Sequence, residues 1–102
     1  DKWTLYVTAY LGEGPARFTE LLRGVEGISQ RMLTVTLRAL ERDGVLTRTV
    51  REVMPPHVEY ELTERGQSLL VAVRPLIEWS EANVEAIRGS RMAYDQESII
   101  GK

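Results

Sequence analysis

Between residues 29 and 44 the apolar positions fall on one helical face. Leu33, Leu37 and Leu40 recur at helical spacing, with Met32, Thr36 and Ala39 beside them, as in a helix that packs one side on a core. Both ends are marked. Ser29 suits the N-cap, where its hydroxyl accepts from an unpaired backbone N–H of the first turn. Gly44 follows the last periodic residue, where a left-handed backbone ends a helix. The opposite face carries Gln30, Arg31, Thr34, Val35 and Arg38.

The same reading extends along the chain. Residues 1–12 place Trp3, Leu5, Tyr6, Ala9, Tyr10 and Leu11 at helical spacing, ended by Gly12 and the Gly14-Pro15 pair. This helix opens without a start signal, as expected where further chain precedes it. Residues 16–18 fit a stub of strand that pairs with a later hairpin. A short second helix covers residues 19–23, capped at Thr19 or just before, with Phe18, Leu21 and Leu22 inward. Residues 24–28 form a turn with two glycines. Short helix, glycine-bearing turn and longer capped helix make a helix-turn-helix pattern.

Residues 45–51 read as a strand, and residues 58–62 alternate strictly, Val58, Tyr60 and Leu62 against Glu59 and Glu61. The proline-bearing stretch 52–57 joins them as the tip of a hairpin, a wing. A last long helix starts at Thr63 and Glu64 and reaches about Gly89. Gly66 is expected where a neighbouring backbone approaches closely. Pro75 is expected to kink or split the helix. Leu69, Leu70, Val73, Leu76, Ile77, Trp79, Val84 and Ile87 form a wide apolar stripe. It exceeds what one small domain needs and implies a partner helix. The fold expected is mainly α with a small β-hairpin wing: a winged helix-turn-helix over residues 1–89, its dimerisation helix at about 63–89, then a frayed polar tail at 90–102.

Composition narrows the function. The 102 residues contain no Cys and one His, so thiolate metal sites and disulfides are excluded within them, and no metal or cofactor is expected. No apolar run approaches a membrane span and no signal peptide is recognised, which fits a cytoplasmic protein. The net charge of −2 is uneven: residues 1–57 hold 8 Lys/Arg against 7 Asp/Glu, residues 58–102 hold 5 against 8. A local basic face is enough for DNA. On the outer face of the capped helix, Arg can fork onto guanine or phosphate, Gln onto adenine, and the Thr and Val methyls onto thymine. No nucleophile–base pair, Gly-x-Ser-x-Gly elbow or phosphate-cradling loop is present, so no enzyme is expected.

Several segments together carry a family resemblance. Asp1-Lys2-Trp3-Thr4-Leu5, Arg17-Phe18-Thr19-Glu20-Leu21 and Gly27-Ile28-Ser29-Gln30-Arg31-Met32-Leu33 come first. Leu37-Arg38-Ala39-Leu40-Glu41-Arg42-Asp43-Gly44, Pro55-Pro56-His57-Val58-Glu59-Tyr60 and Leu62-Thr63-Glu64-Arg65-Gly66 follow, over residues 1 to about 80. The chain resembles the winged helix-turn-helix regulators of the HxlR type, cousins of the MarR type. The resemblance implies a bacterial homodimer, most simply a repressor, on an inverted repeat of double-stranded DNA. It implies DNA contacts from Ser29, Gln30, Arg31, Thr34, Val35 and Arg38, with Arg51 and His57 from the wing. The first and last helices would form the dimer, through Trp3, Tyr6, Tyr10, Leu69, Val73, Leu76, Ile77, Ser80, Val84 and Ile87. Relatives more often hold Arg or Lys where His57 stands, so wing binding is expected to be weaker and pH-sensitive. Several relatives sense oxidants through a Cys just before the Asp-Lys-Trp segment, with which this sequence begins.

Plainer readings stand beside these. Arg31 and Arg38 are also ordinary solvated helix charges, and Arg42 suits helix-end electrostatics or a local ion pair. Arg48 and Glu59 are expected to pair across the hairpin, and Glu59 with Glu61 to form a solvated edge. His57 is either a phosphate contact or a loop residue without function. Trp3, Tyr6, Tyr10 and Trp79 suit packing better than a pocket, though they could line a small-molecule effector site at the dimer interface. The rival functions are a winged helix used for protein contact and a small-molecule-binding protein without a DNA site.

Overall fold

A computed structural model describes residues 2–101, with side chains for residues 2–98. The order is α1 (Lys2–Leu11), α2 (Phe18–Gly24), α3 (Gln30–Arg42), β1 (Leu46–Arg51), β2 (His57–Leu62) and α4 (Glu64–Gly101). The core gathers one or more side chains from each element, among them Val7, Leu11, Leu21, Leu33, Leu37, Leu40, Leu46, Leu62 and Leu70. This is the mainly α fold with a hairpin wing that the polar–apolar pattern predicts.

Local chemistry explains the element ends. Helix α2 starts a residue or two earlier than expected, with Arg17 as N-cap. There the Glu20 carboxylate accepts from the Arg17 N–H at 2.8 Å, covering a donor the helix leaves unpaired. Helix α3 follows its sequence signals: Ser29 Oγ accepts from the Met32 N–H at 3.0 Å, and Leu33, Thr36, Leu37 and Leu40 are buried. Met32 and Ala39, expected beside the core, are instead exposed. Gly44 takes φ +74°, a left-handed backbone that turns the chain into β1.

The wing is one antiparallel pair, with Leu46 opposite Leu62, Arg48 opposite Tyr60, Thr49 opposite Glu59 and Arg51 opposite His57. Ala16 adds a single bridge to Tyr60, through backbone bonds of 3.0 and 2.8 Å. The expected strand stub thus covers part of the open edge of β2.

Helix α4 is bolted to the end of α3. Thr63 Oγ1 donates to the Gly44 carbonyl at 2.6 Å, lies 3.1 Å from the Val45 carbonyl, and accepts from the Gly66 N–H at 3.1 Å. Arg65 adds a bond from Nη1 to the Asp43 carbonyl at 2.8 Å. A Cβ at Gly66 would collide with the Val45 carbonyl, so the close approach expected of this glycine is real.

Of the kink or split expected at Pro75, the split does not occur: α4 runs through it. The carbonyl its ring faces belongs to Val71, an exposed residue, so water can replace the lost bond. The helix also does not end near Gly89: α4 runs through residues 90–101, which were expected to be a frayed tail. That stretch is free of proline and holds helix-forming Arg91, Met92, Ala93, Gln96 and Glu97. Lys102 lies outside the described residues. At 38 residues, α4 is roughly 57 Å long and sets the 63 Å long axis of the chain.

Candidate nucleic-acid interface

Helical geometry divides α3 into two faces. The buried Leu33, Thr36, Leu37 and Leu40 hold one side against the core. About 100° per residue then places Arg31, Val35, Arg38 and Arg42 on the far side, and all four are exposed. Gln30 is exposed near the helix start, and half-buried Thr34 donates its hydroxyl to the Gln30 carbonyl at 3.0 Å. Ser29 is exposed but its oxygen is occupied as the cap. Val35 offers its methyls to solvent at 54% exposure.

Arginine pairing sorts the site further. Arg31, Arg38 and Arg42 make no ion pair among the described residues. The local pair expected for Arg42 is therefore not formed, and its place in the last turn leaves it as a helix-end charge. The wing cations differ. Arg51 Nε donates to Glu59 Oε1 at 3.2 Å, and His57 Nε2 lies 2.9 Å from Glu59 Oε2. Both sequence-predicted wing residues are thus brought together on one carboxylate. The hydrogen bond from His57, ahead of Arg51, holds the Glu59 carboxyl below its ordinary value.

The expected Arg48–Glu59 pair does not form. The register sets Glu59 opposite Thr49 and Arg48 opposite Tyr60, and the two-residue period of a strand turns Arg48 to the other face. There Arg48 shares an open cleft of about 370 Å³ with Phe18, Thr34, Leu37, Arg38, Glu41 and Tyr60. Arg48 makes no ion pair among the described residues either. Two unpaired guanidinium groups, one from the helix and one from the wing, therefore line one cleft beside the outer face of α3. Sequence reasoning assigned Arg48 to the hairpin. The signal against that was the alternation Leu46, Arg48, Val50, which puts Arg48 on the face of a core leucine.

The residues expected at a dimer interface lie on α1 and α4. Trp3, Tyr10 and Leu69 are half-buried against this chain's own core. Tyr6, Leu76, Ser80 and Val84 are exposed, and Val73, Ile77 and Ile87 half-buried. No side chain from residue 71 to 98 is buried. Trp3 and Tyr6 meet edge to face at 6.3 Å, and the Lys2 ammonium sits 4.7 Å from the Trp3 ring centroid. With Val25, Glu26 and Glu81 they border an open hollow of about 710 Å³.

No cluster of three or more His, Cys, Asp or Glu among the described residues could hold a metal ion. No described helix is long and apolar enough to cross a membrane.

The HxlR-like helix-turn-helix family model matches residues 1–88. The chain belongs to that family. The HTH-type transcriptional regulator YtfH of Escherichia coli K12, itself uncharacterized, is 42% identical over 96 residues, covering 91% of this chain and 76% of that protein. YtcD of Bacillus subtilis, of the same description, is 38% identical over 99 residues, covering 97% and 79%. Among solved structures, ytfH of Salmonella typhimurium superposes with a TM-score of 0.80 at 38% identity, over 90% of this chain and 82% of that one. The redox regulator HypR in its reduced form gives 0.76 at 40% identity, over 87% and 88%. This HxlR-like chain therefore has the fold and the membership of a transcription-regulator family, as its resemblance implied.

Proposed function

We propose that this chain is a cytoplasmic DNA-binding repressor that sits as a homodimer on an inverted repeat. The observation that carries the reading is the outer face of α3. Arg31 and Arg38 stand there unpaired and exposed beside Val35 and Gln30, on a helix fixed at both ends. Base edges in a major groove are read by Gln30, Arg31, Thr34, Val35 and Arg38, while the α3 start at Ser29 approaches a phosphate. Arg51 and His57 contribute from the wing, and Arg48 joins Arg38 in meeting a flanking phosphate in their shared cleft.

The dimer forms along α1 and α4. Val73, Ile77, Ser80, Val84 and Ile87 advance in steps of four and three residues, the repeat of a helix–helix seam. None of these side chains is buried within one chain, and a two-fold partner would cover them. A dimer presents two recognition helices to half-sites about one DNA turn apart. Occupying such a site blocks transcription by exclusion. The hollow bordered by Trp3 and Tyr6 supports a place for a small-molecule effector beside that interface.

The test is fluorescence anisotropy with the DNA upstream of the chain's own gene against a shuffled duplex, at low and physiological salt. The native duplex is expected to bind more tightly and to survive moderate salt. Arg31→Ala and Arg38→Ala are each expected to lose about 1–3 kcal/mol of specific binding. A loss below about 0.5 kcal/mol for both removes the assigned face. No binding by the native protein at either salt favours a winged helix used for protein contact.

A further inference from the structure

His57 is the sole histidine of the chain, and both of its ring nitrogens face acceptors. Nδ1 lies 3.0 Å from the Pro55 carbonyl oxygen and Nε2 lies 2.9 Å from Glu59 Oε2. A carbonyl and an ionised carboxylate only accept, so each bond needs an N–H from the ring. A neutral imidazole carries one N–H and satisfies one of the two, whereas the imidazolium satisfies both. The ring is also the most covered of the three wing side chains, at 14% exposure against 26% for Glu59 and 49% for Arg51.

We infer that Glu59 is the positioning residue of the wing: it holds Arg51 and a doubly protonated His57, so that one proton both ties down the wing tip and gives this three-residue group a net positive charge. Arg51 comes from β1, His57 and Glu59 from β2, and Pro55 from the loop between them. The other charged groups nearby are Glu61, exposed two positions along the same strand face, and Glu52 in the loop. Neither carboxylate makes an ion pair among the described residues. Arg51 and Glu59 cancel, so the charge of the group is set by His57: zero when the ring is neutral, +1 when it is protonated. Histidine is the side chain whose ordinary titration falls between pH 5 and 8. The Glu59 carboxyl, held below its ordinary value, stays ionised through that window. The proton also decides order. Losing it leaves either the Pro55 carbonyl or Glu59 Oε2 without its donor, and the loop bearing exposed Val53 and Met54 is released on that side.

Two measurements test this, and only the second rests on the proposed DNA function. With one histidine, the imidazole signals of 15N-labelled protein need no assignment. Without DNA, the nuclear Overhauser contact between the His57 ring and Pro55 is expected to follow ring protonation between pH 8 and 6. In Glu59→Gln it is expected to lose that pH dependence. A contact of equal strength at both pH values, or the same pH profile in Glu59→Gln, overturns the inference. On the duplex identified above, the wild type is expected to bind several-fold more tightly at pH 6 than at pH 8. Its log–log salt slope is expected to be steeper by about 0.9 at the lower pH, one further phosphate neutralised. His57→Gln, which keeps a donor and cannot titrate, is expected to show neither change. An equal pH response in His57→Gln overturns the DNA consequence. If no duplex binds, the proposed function fails and the resonance experiment alone decides the role of Glu59.

Discussion

Replacing Thr63 by Val keeps the outline of the side chain and removes one hydroxyl. That hydroxyl donates to the Gly44 carbonyl at 2.6 Å and accepts from the Gly66 N–H at 3.1 Å. Losing the acceptor uncaps α4, a cost of about 1 kcal/mol. Losing the donor strands a part-buried carbonyl, a further cost of about 1–2 kcal/mol. The Val45 carbonyl keeps the Thr63 N–H at 3.0 Å and adds nothing to the loss. Thr63→Val should therefore lower stability by about 2–3 kcal/mol. Urea unfolding at fixed protein concentration should read this as a midpoint lower by about 1–2 M with an unchanged slope. Thr63→Ser keeps the hydroxyl and gives up one methyl, so it should cost no more than about 1 kcal/mol. If the Val variant lies within about 0.5 kcal/mol of the Ser variant, the hydroxyl does not join α4 to α3 in the way argued. Gly44 lies just past the end of α3, so this joint also fixes where α4 stands relative to the outer face of α3.

Ile87→Glu tests the dimer. Ile87 is half-buried within one chain, so covering the rest of it at a two-fold interface, counted once in each copy, gives together about 1–3 kcal/mol. The variant should sediment as a monomer where the wild type is a dimer; a monomeric wild type at micromolar concentration contradicts the proposed assembly. Glu59 gives an acid-stability prediction with a definite sign. Its folded-state carboxyl is held below its ordinary value by His57 first and by Arg51. Its contribution is therefore present above the ordinary carboxylate range and is lost as pH falls through the folded-state value. The stability gap between wild type and Glu59→Gln should shrink as pH falls through the carboxylate range, and a gap unchanged there contradicts the pairing.

Short-range pattern along the chain encodes the local elements. The capped helix of Ser29 and Gly44, the alternation of Val58, Tyr60 and Leu62, and the glycine-bearing turn each depend on neighbours within a few residues. Their order was enough for the winged helix-turn-helix and for the outer face of α3. Pairing between distant segments is set only when the chain folds. Strand register turned Arg48 toward α3 and set Arg51 and His57 on Glu59, because a strand changes face with every residue and a loop of five residues left the offset open. Ala16 found Tyr60, and Thr63 found Gly44, across separations that no periodicity reports. The length of α4 was hidden for a different reason. Past Gly89 every described side chain is exposed, so no apolar stripe marked this stretch, and backbone hydrogen bonding with good helix formers carried the helix on to Gly101.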